Sequence, residues 1–151
     1  MKVLLVALNA KFIHSSLALA YLEAFCQSED WEIEKREYTI NELTPHIFAD
    51  IYRQKPDILC FSVYIWNVEA VLQICADYKK VAPHTLIVLG GPEVSFNAVE
   101  IMEENAAFDC IIRGEGEYTL KELLAHIYAG KDFSGIQGLT YRAGGHIIEN
   151  P

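Results

Sequence analysis

The feature that most constrains the fold is an alternation, in which five apolar runs are each followed by a segment with helical periodicity. Strands that alternate with helices are typical of βαβ units, whose strands lie parallel in one sheet. The strands are predicted at Lys2–Leu8, Trp31–Thr39, Asp57–Tyr64, Thr85–Leu89 and Phe108–Ile112. We therefore predict an α/β, flavodoxin-like (Rossmann-like) domain with a doubly wound five-stranded parallel sheet of order 2-1-3-4-5.

The helices between these strands have recognisable start signals. Residues suited to an N-cap precede four of them, namely Ser15 or Ser16, Thr44 (followed by Pro45), Asn67 and Ser95. The first helix is predicted to end near Gln27, the fourth near Glu104, and the fifth to cover Tyr118–Ala129. The predicted buried face of the first helix consists of Leu17, Tyr21, Leu22 and Phe25.

The pattern changes after Gly135. Leu139–Arg142 and His146–Ile148 flank Ala143-Gly144-Gly145, which predicts a β-hairpin with a glycine turn. We assign residues 1–133 to the α/β domain and residues 134–151 to the hairpin and a linker.

Charge and composition narrow the functional classes. Acidic residues number 21 against 12 basic ones, whereas nucleic-acid binding usually needs a basic surface. The apolar run Val3–Leu8 is shorter than the roughly 7–15 residues of a signal-peptide core, and no stretch approaches the roughly 20 apolar residues of a membrane span. The four cysteines lack the close spacing of a metal site. We expect a cytoplasmic chain with no nucleic-acid partner, no membrane partner and no metal held by protein ligands.

The candidate site follows from the predicted sheet, because open parallel sheets bind ligands beyond the carboxyl ends of their strands. Glycines there allow a ligand to approach the backbone closely. We take as cofactor-binding candidates Asn9, Lys11, His14 and Ser15 after the first strand, Ser62, Tyr64 and Trp66 after the third, Gly90, Gly91, Pro92, Glu93 and Ser95 after the fourth, and Gly114, Glu115, Gly116 and Glu117 after the fifth.

Three common functions of this fold do not match these loops. A phosphate-accepting receiver domain needs acidic residues where this chain has Asn9 and Ser62. The loop after the first strand has no glycine with which to wrap the phosphate of FMN, and a GxGxxG dinucleotide motif is absent. A stand-alone enzyme would need a nucleophile paired with a base, and no such pair is recognisable. We assign no catalytic residues to the chain.

Two motifs together resemble a known family. Leu89-Gly90-Gly91-Pro92-Glu93-Val94-Ser95 is followed by Asp109-Cys110-Ile111-Ile112-Arg113-Gly114-Glu115-Gly116-Glu117. This pair is similar to the GGP-x-x-S and GEGE segments in the N-terminal cobalamin (B12)-binding domain of cobalamin-dependent radical SAM proteins. The resemblance covers essentially the whole chain, including the terminal hairpin.

The resemblance implies a larger parent enzyme. In this family the next domain is a radical SAM barrel, in which CxxxCxxC holds a [4Fe–4S] cluster that acts with S-adenosylmethionine. The present residues contain no such triad. We therefore expect a domain of a longer protein whose partner is the radical SAM domain of the same polypeptide. That parent is expected to act on a small-molecule or still unknown substrate, with methyl transfer as the reaction, while this part alone is not an enzyme.

The loop after the first strand departs from related cobalamin proteins. Methionine synthase and the mutases use D-x-H-x-x-G there, and its histidine ligates cobalt. The matching positions here are Asn9, Lys11 and His14, and a protonated lysine cannot coordinate a metal. The resemblance thus implies base-off cobalamin without a histidine ligand, unless His14 reaches the cobalt from its displaced position. The alternative is a vestigial domain that binds no cobalamin and serves docking or substrate recognition.

Overall fold

A computed structural model describes all 151 residues and shows one seven-stranded sheet. The strands, in chain order, are β1 (Lys2–Asn9), β2 (Glu32–Thr39), β3 (Ile58–Ser62), β4 (Leu86–Gly90), β5 (Cys110–Ile112), β6 (Leu139–Ala143) and β7 (His146–Glu149). Their order in the sheet is β2-β1-β3-β4-β5-β6-β7, and β1 to β5 are parallel. The predicted order of the parallel strands is therefore confirmed.

The terminal hairpin extends this sheet. Strand β6 pairs antiparallel with β5, and β7 pairs with β6, so the strand count is seven where the sequence predicts five plus a hairpin. Gly144 and Gly145, at φ +57° and +83°, form the turn. Two consecutive residues with positive φ suit the tight turns that join twisted strands.

Six helices cover the two faces of the sheet: α1 (Leu17–Phe25), α2 (Thr44–Gln54), α3 (Val68–Val81), α4 (Pro92–Ser95), α5 (Ala98–Glu104) and α6 (Gly116–Tyr128). Alternate residues of a strand point to opposite faces. In β1, Val3 and Leu5 contribute to the core beneath α1 and α6, whereas Leu4 and Val6 contribute to the core shared with the other helices. None of the six helices has both the length and the apolar character needed to cross a bilayer.

Three details of the predicted helices are wrong. The buried residue of α1 is Leu19, whereas Leu17 and Tyr21 are 66% and 58% exposed. Helix α2 already begins at Thr44, so Leu43 rather than Thr44 occupies its N-cap position. The predicted fourth helix is two short helices, because Pro92 starts α4 directly after β4 and the chain bends again before α5. The Ser16 cap is confirmed, since its Oγ accepts a hydrogen bond from the Leu19 N–H.

Candidate functional site

A cleft of about 410 Å³ opens at the C-terminal edge of the sheet, on the face covered by α1 and α6. Its floor consists of strand residues whose side chains share that face, namely Leu5, Cys60, Val88 and Ile112. Leu19 and Leu22 of α1 and Leu120 of α6 form its sides. This size lies within the roughly 300–1,000 Å³ of small-molecule sites, and a largely apolar lining is typical of them.

The loop after β4 forms one wall and requires glycine at position 91. Gly91 has φ +112°, and a Cβ added there would lie 2.4 Å from the carbonyl oxygen of Val63. The Ser95 hydroxyl donates to the Gly91 carbonyl over 2.8 Å, which closes the turn of α4. At Gly90 an added Cβ would make only ordinary contacts, the nearest at 3.7 Å from Ile112. The backbone of this loop therefore approaches β3 closely while it leaves the cleft open.

The loop after β5 forms the opposite wall and leads into α6. Glu115 occupies the N-cap position of that helix, but no side chain caps its first turn. The loop is braced from behind, because the Arg113 N–H donates to the Gly138 carbonyl over 2.8 Å and the Thr119 hydroxyl donates to the Gln137 carbonyl over 2.8 Å. The residues before the hairpin thus hold this wall against the sheet.

The loop after β3 contributes a fixed aromatic pair. Tyr64 lines the cleft, and its ring stacks on Trp66 with the centroids 4.5 Å apart and the planes 6° from parallel. The Trp66 indole N–H donates to the Leu8 carbonyl over 3.2 Å. Asn67 is buried beside them, and its side chain makes no cap bond to α3, contrary to the predicted cap.

The loop after β1 lies outside the cleft. The Asn9 side-chain amide donates to the His14 carbonyl and to the Glu37 carboxylate, both over 2.8 Å. The same Glu37 oxygen accepts the Ser16 N–H over 2.8 Å, which holds the start of α1. Lys11 and His14 are exposed and do not line the cleft.

The structure thus brings together ten of the predicted residues around one space: Ser62, Tyr64, Gly90, Gly91, Pro92, Ser95, Gly114, Glu115, Gly116 and Glu117. The other six do not line it: Asn9, Lys11, His14, Ser15, Trp66 and Glu93. The floor residues are not among the predicted ones, because they lie within the strands and the prediction covers only residues that follow the strands. Alternation within the strands could have identified the face to which Leu5 and Cys60 point, but not the gap between α1 and α6.

The side chains that line the cleft suit the binding of a ligand rather than catalysis. Its only charged residues are Glu115 and Glu117, and it contains no histidine, lysine or arginine. Burial raises the pKa of the Cys60 thiol on the floor, so this group stays protonated at neutral pH. An activated nucleophile needs an adjacent base or a lowered pKa, and neither is present here. No group of three or more His, Cys, Asp or Glu side chains is arranged to hold a metal ion.

Comparisons with known proteins agree with this geometry. Residues 3–124 match the family model described as the B12 binding domain. An uncharacterised methyltransferase of Pyrococcus horikoshii is 29% identical over 136 residues, which cover 89% of this chain and 29% of that protein. The cobalamin-dependent radical SAM methyltransferase TokK of Streptomyces tokunonensis is 31% identical over 98 residues, which cover 64% of this chain and 14% of TokK.

The fold is also found in a solved structure. The radical S-adenosylmethionine methyltransferase TsrM from Kitasatospora setae, with cobalamin and a [4Fe–4S] cluster bound, superposes with a TM-score of 0.80 over 99% of this chain, at 22% identity. The matched part is 28% of TsrM. The chain therefore spans less than a third of each of these three proteins.

Proposed function

Since the chain belongs to the B12-binding domain family, we propose that its cleft holds cobalamin for a radical SAM enzyme whose reaction is methyl transfer. The observation that carries this proposal is the cleft itself, which three strand-end loops form over an apolar floor. The two motifs that resemble the family lie in two of those loops. TsrM, part of which has the same fold, has been solved with cobalamin bound.

The residues present fit this cofactor in shape and polarity. The cleft reaches Leu5 and Cys60 in the middle of the sheet, and we propose that it holds the nucleotide tail rather than the wide macrocycle. Ser62 stands at the end of β3, and Glu115 and Glu117 line the same cleft. Carboxylates and hydroxyls accept hydrogen bonds from amide N–H groups, which the macrocycle carries on its rim. Of the predicted cofactor contacts, these are the ones that the cleft supports best.

The chain's own residues would bind and orient the cofactor. Gly90 and Gly91 line the cleft without side chains and so leave room for the cofactor. The apolar floor would exclude water from its nucleotide tail. When bound, cobalamin supplies a methyl group carried on cobalt. A nucleotide tail held in the cleft would lie away from the cobalt, so we expect base-off cobalamin, and no histidine lines the cleft.

We also propose that the rest of the enzyme is a radical SAM domain of the same polypeptide, which uses S-adenosylmethionine and a [4Fe–4S] cluster on a small-molecule substrate. TokK and TsrM support this, because both are much longer than this chain and both are named as radical SAM methyltransferases. A cytoplasmic location is proposed with it, because all four cysteines are free thiols.

A second candidate is a domain that binds no cofactor and serves docking or substrate recognition. Phe12 and Ile13 favour it, because these large apolar side chains are 88% and 83% exposed in the loop where related cobalamin proteins carry their cobalt ligand. Exposed apolar groups of this size mark contacts with other surfaces.

Anaerobic titration of the chain with hydroxocobalamin, followed by desalting and visible spectroscopy, distinguishes the two candidates. Retained cobalamin with a base-off spectrum is the expected result. FMN serves as a control ligand, and it should be lost on desalting because the loop after β1 has no glycine with which to wrap its phosphate. Loss of cobalamin at high concentration would favour the docking candidate instead.

A further inference from the structure

Asn67 lies where β1 and β3 separate. The pairing of these two strands ends at Ala7 opposite Ser62. Strand order reverses at this pair, because β2 follows on one side of β1 and β4 on the far side of β3. Such a switch point is where open α/β sheets usually admit a ligand. In this chain the side chain of Asn67 occupies it.

The Asn67 carboxamide bonds the ends of both strands. Its Nδ2 donates to the carbonyl oxygens of Leu8 and Ser62, each over 3.1 Å. Its Oδ1 accepts the Tyr64 backbone N–H over 2.8 Å. The residue is 1% exposed. A buried amide with both donors and its acceptor satisfied is strongly fixed, since breaking any of these bonds leaves a polar group without water.

These bonds determine where the wall of the cleft lies. The backbone N–H that Asn67 holds belongs to Tyr64, whose ring lines the cleft. That ring stacks on Trp66, and the Trp66 indole donates to the same Leu8 carbonyl that Asn67 uses. One strand-end carbonyl therefore anchors both the amide and the aromatic pair.

We propose that Asn67 is a positioning residue for the cleft. It closes the β1/β3 switch point and fixes Tyr64 as a wall, so that a ligand enters only on the face covered by α1 and α6. The effect on cobalamin rests on the function proposed above. Aspartate has the same shape but no side-chain N–H donor, so it would set a carboxylate against two carbonyl oxygens.

Two substitutions at this position have a close control in the same chain. Asn67→Asp removes the donors and Asn67→Ala removes all three bonds. Asn97 occupies the same N-cap position before α5, also makes no cap bond, and is exposed. Asn97→Ala should therefore leave binding unchanged. The dissociation constant for hydroxocobalamin should rise about tenfold or more in both Asn67 variants, which corresponds to about 1.4 kcal/mol. Asn67→Ser, which keeps one donor, replaces Asn67→Ala if that protein does not fold.

A second measurement needs no cofactor. The chain has two tryptophans, so Trp31→Phe leaves Trp66 as the only indole. In that background Asn67→Asp should shift the Trp66 emission to the red and increase its quenching by acrylamide, because the loop loosens. A change in overall stability alone would move neither property of the folded protein.

The results separate the two proposals. Folded Asn67 variants with wild-type affinity, or with unchanged Trp66 emission, would overturn the positioning role. A wild-type chain that retains no cobalamin would contradict the proposed function. If the Trp66 emission of that chain still responds to Asn67→Asp, the result would support the positioning role of Asn67.

Discussion

The loop after β1 and the loops after β3, β4 and β5 lie at the same edge of the sheet but differ in what they form. The later loops surround the cleft and meet its apolar floor. The first loop is tied to Glu37 on the outer strand, and its tip is exposed. The D-x-H-x-x-G motif of methionine synthase and the mutases would lie in this first loop. We propose that in this chain, by contrast, the later loops provide the site, and four predictions test that contrast.

The largest effect is expected from Gly91→Ala. Its φ of +112° and ψ of 170° are nearly restricted to glycine, and the new Cβ would meet the Val63 carbonyl at 2.4 Å. Strain of this kind should lower the free energy of unfolding by about 3 kcal/mol. Urea denaturation measures it, with Gly90→Ala as control, where the added Cβ has room. Equal stabilities of the two variants would show that the wall does not depend on this close approach.

Ser62→Leu should block the cleft while the fold remains. Ser62 is partly exposed at the end of β3 and lines the cleft, so the larger side chain projects into the space. A steric cost of about 2–3 kcal/mol from the larger side chain would weaken hydroxocobalamin binding by about 30- to 140-fold. Ser28→Leu, which lies near the opposite edge of the sheet before β2, is the control for binding. Wild-type affinity in a folded Ser62→Leu chain would place the cofactor elsewhere.

Cys60 reports occupancy of the floor. It is 8% exposed and lines the cleft, whereas the other three cysteines are 0% exposed. Alkylation of the folded chain should therefore begin at Cys60, and bound cobalamin should slow it. Because burial raises the pKa of this thiol, the thiolate fraction and the rate should increase about tenfold per pH unit through the neutral range. Peptide mass spectrometry identifies the labelled residue; first labelling at another cysteine would contradict the placement of the floor.

The smallest effect is expected in the loop after β1. Lys11→Ala and His14→Ala remove exposed side chains that do not line the cleft. Surface changes of this kind typically alter free energies by less than about 0.5 kcal/mol, so cobalamin affinity and spectrum should stay close to those of the wild type. A changed cobalt spectrum in His14→Ala would show that this loop supplies a ligand after all.

The sequence predicts the sheet well because its signal is repeated, with five apolar runs and five helical segments that all favour one topology. The buried side of α1 was predicted wrongly because Leu17-Ala18-Leu19-Ala20-Tyr21-Leu22 is apolar on every side, so no stripe marks the face that packs. The sequence predicts a cap at Asn67, because asparagine before a helix usually is one. Its real partners lie on β1, 59 residues earlier, and on the end of β3, and only the folded chain brings them together.

The candidate site was predictable to the extent that a strand end identifies an edge. Gly90, Gly91 and the segment from Gly114 to Glu117 could be placed there from the topology. The same rule included Lys11 and His14, because topology does not tell which loops fold over the sheet and which turn away. That choice depends on particular bonds, such as those of Glu37 to Asn9 and Ser16.

The most direct test of the central claim is a crystal structure of this chain with hydroxocobalamin bound. We expect the nucleotide tail between α1 and α6, in contact with Leu5, Cys60 and Val88, and no histidine on the cobalt. A tail that enters between β1 and β3 past a displaced Asn67, or a cobalt ligated by His14, would contradict it.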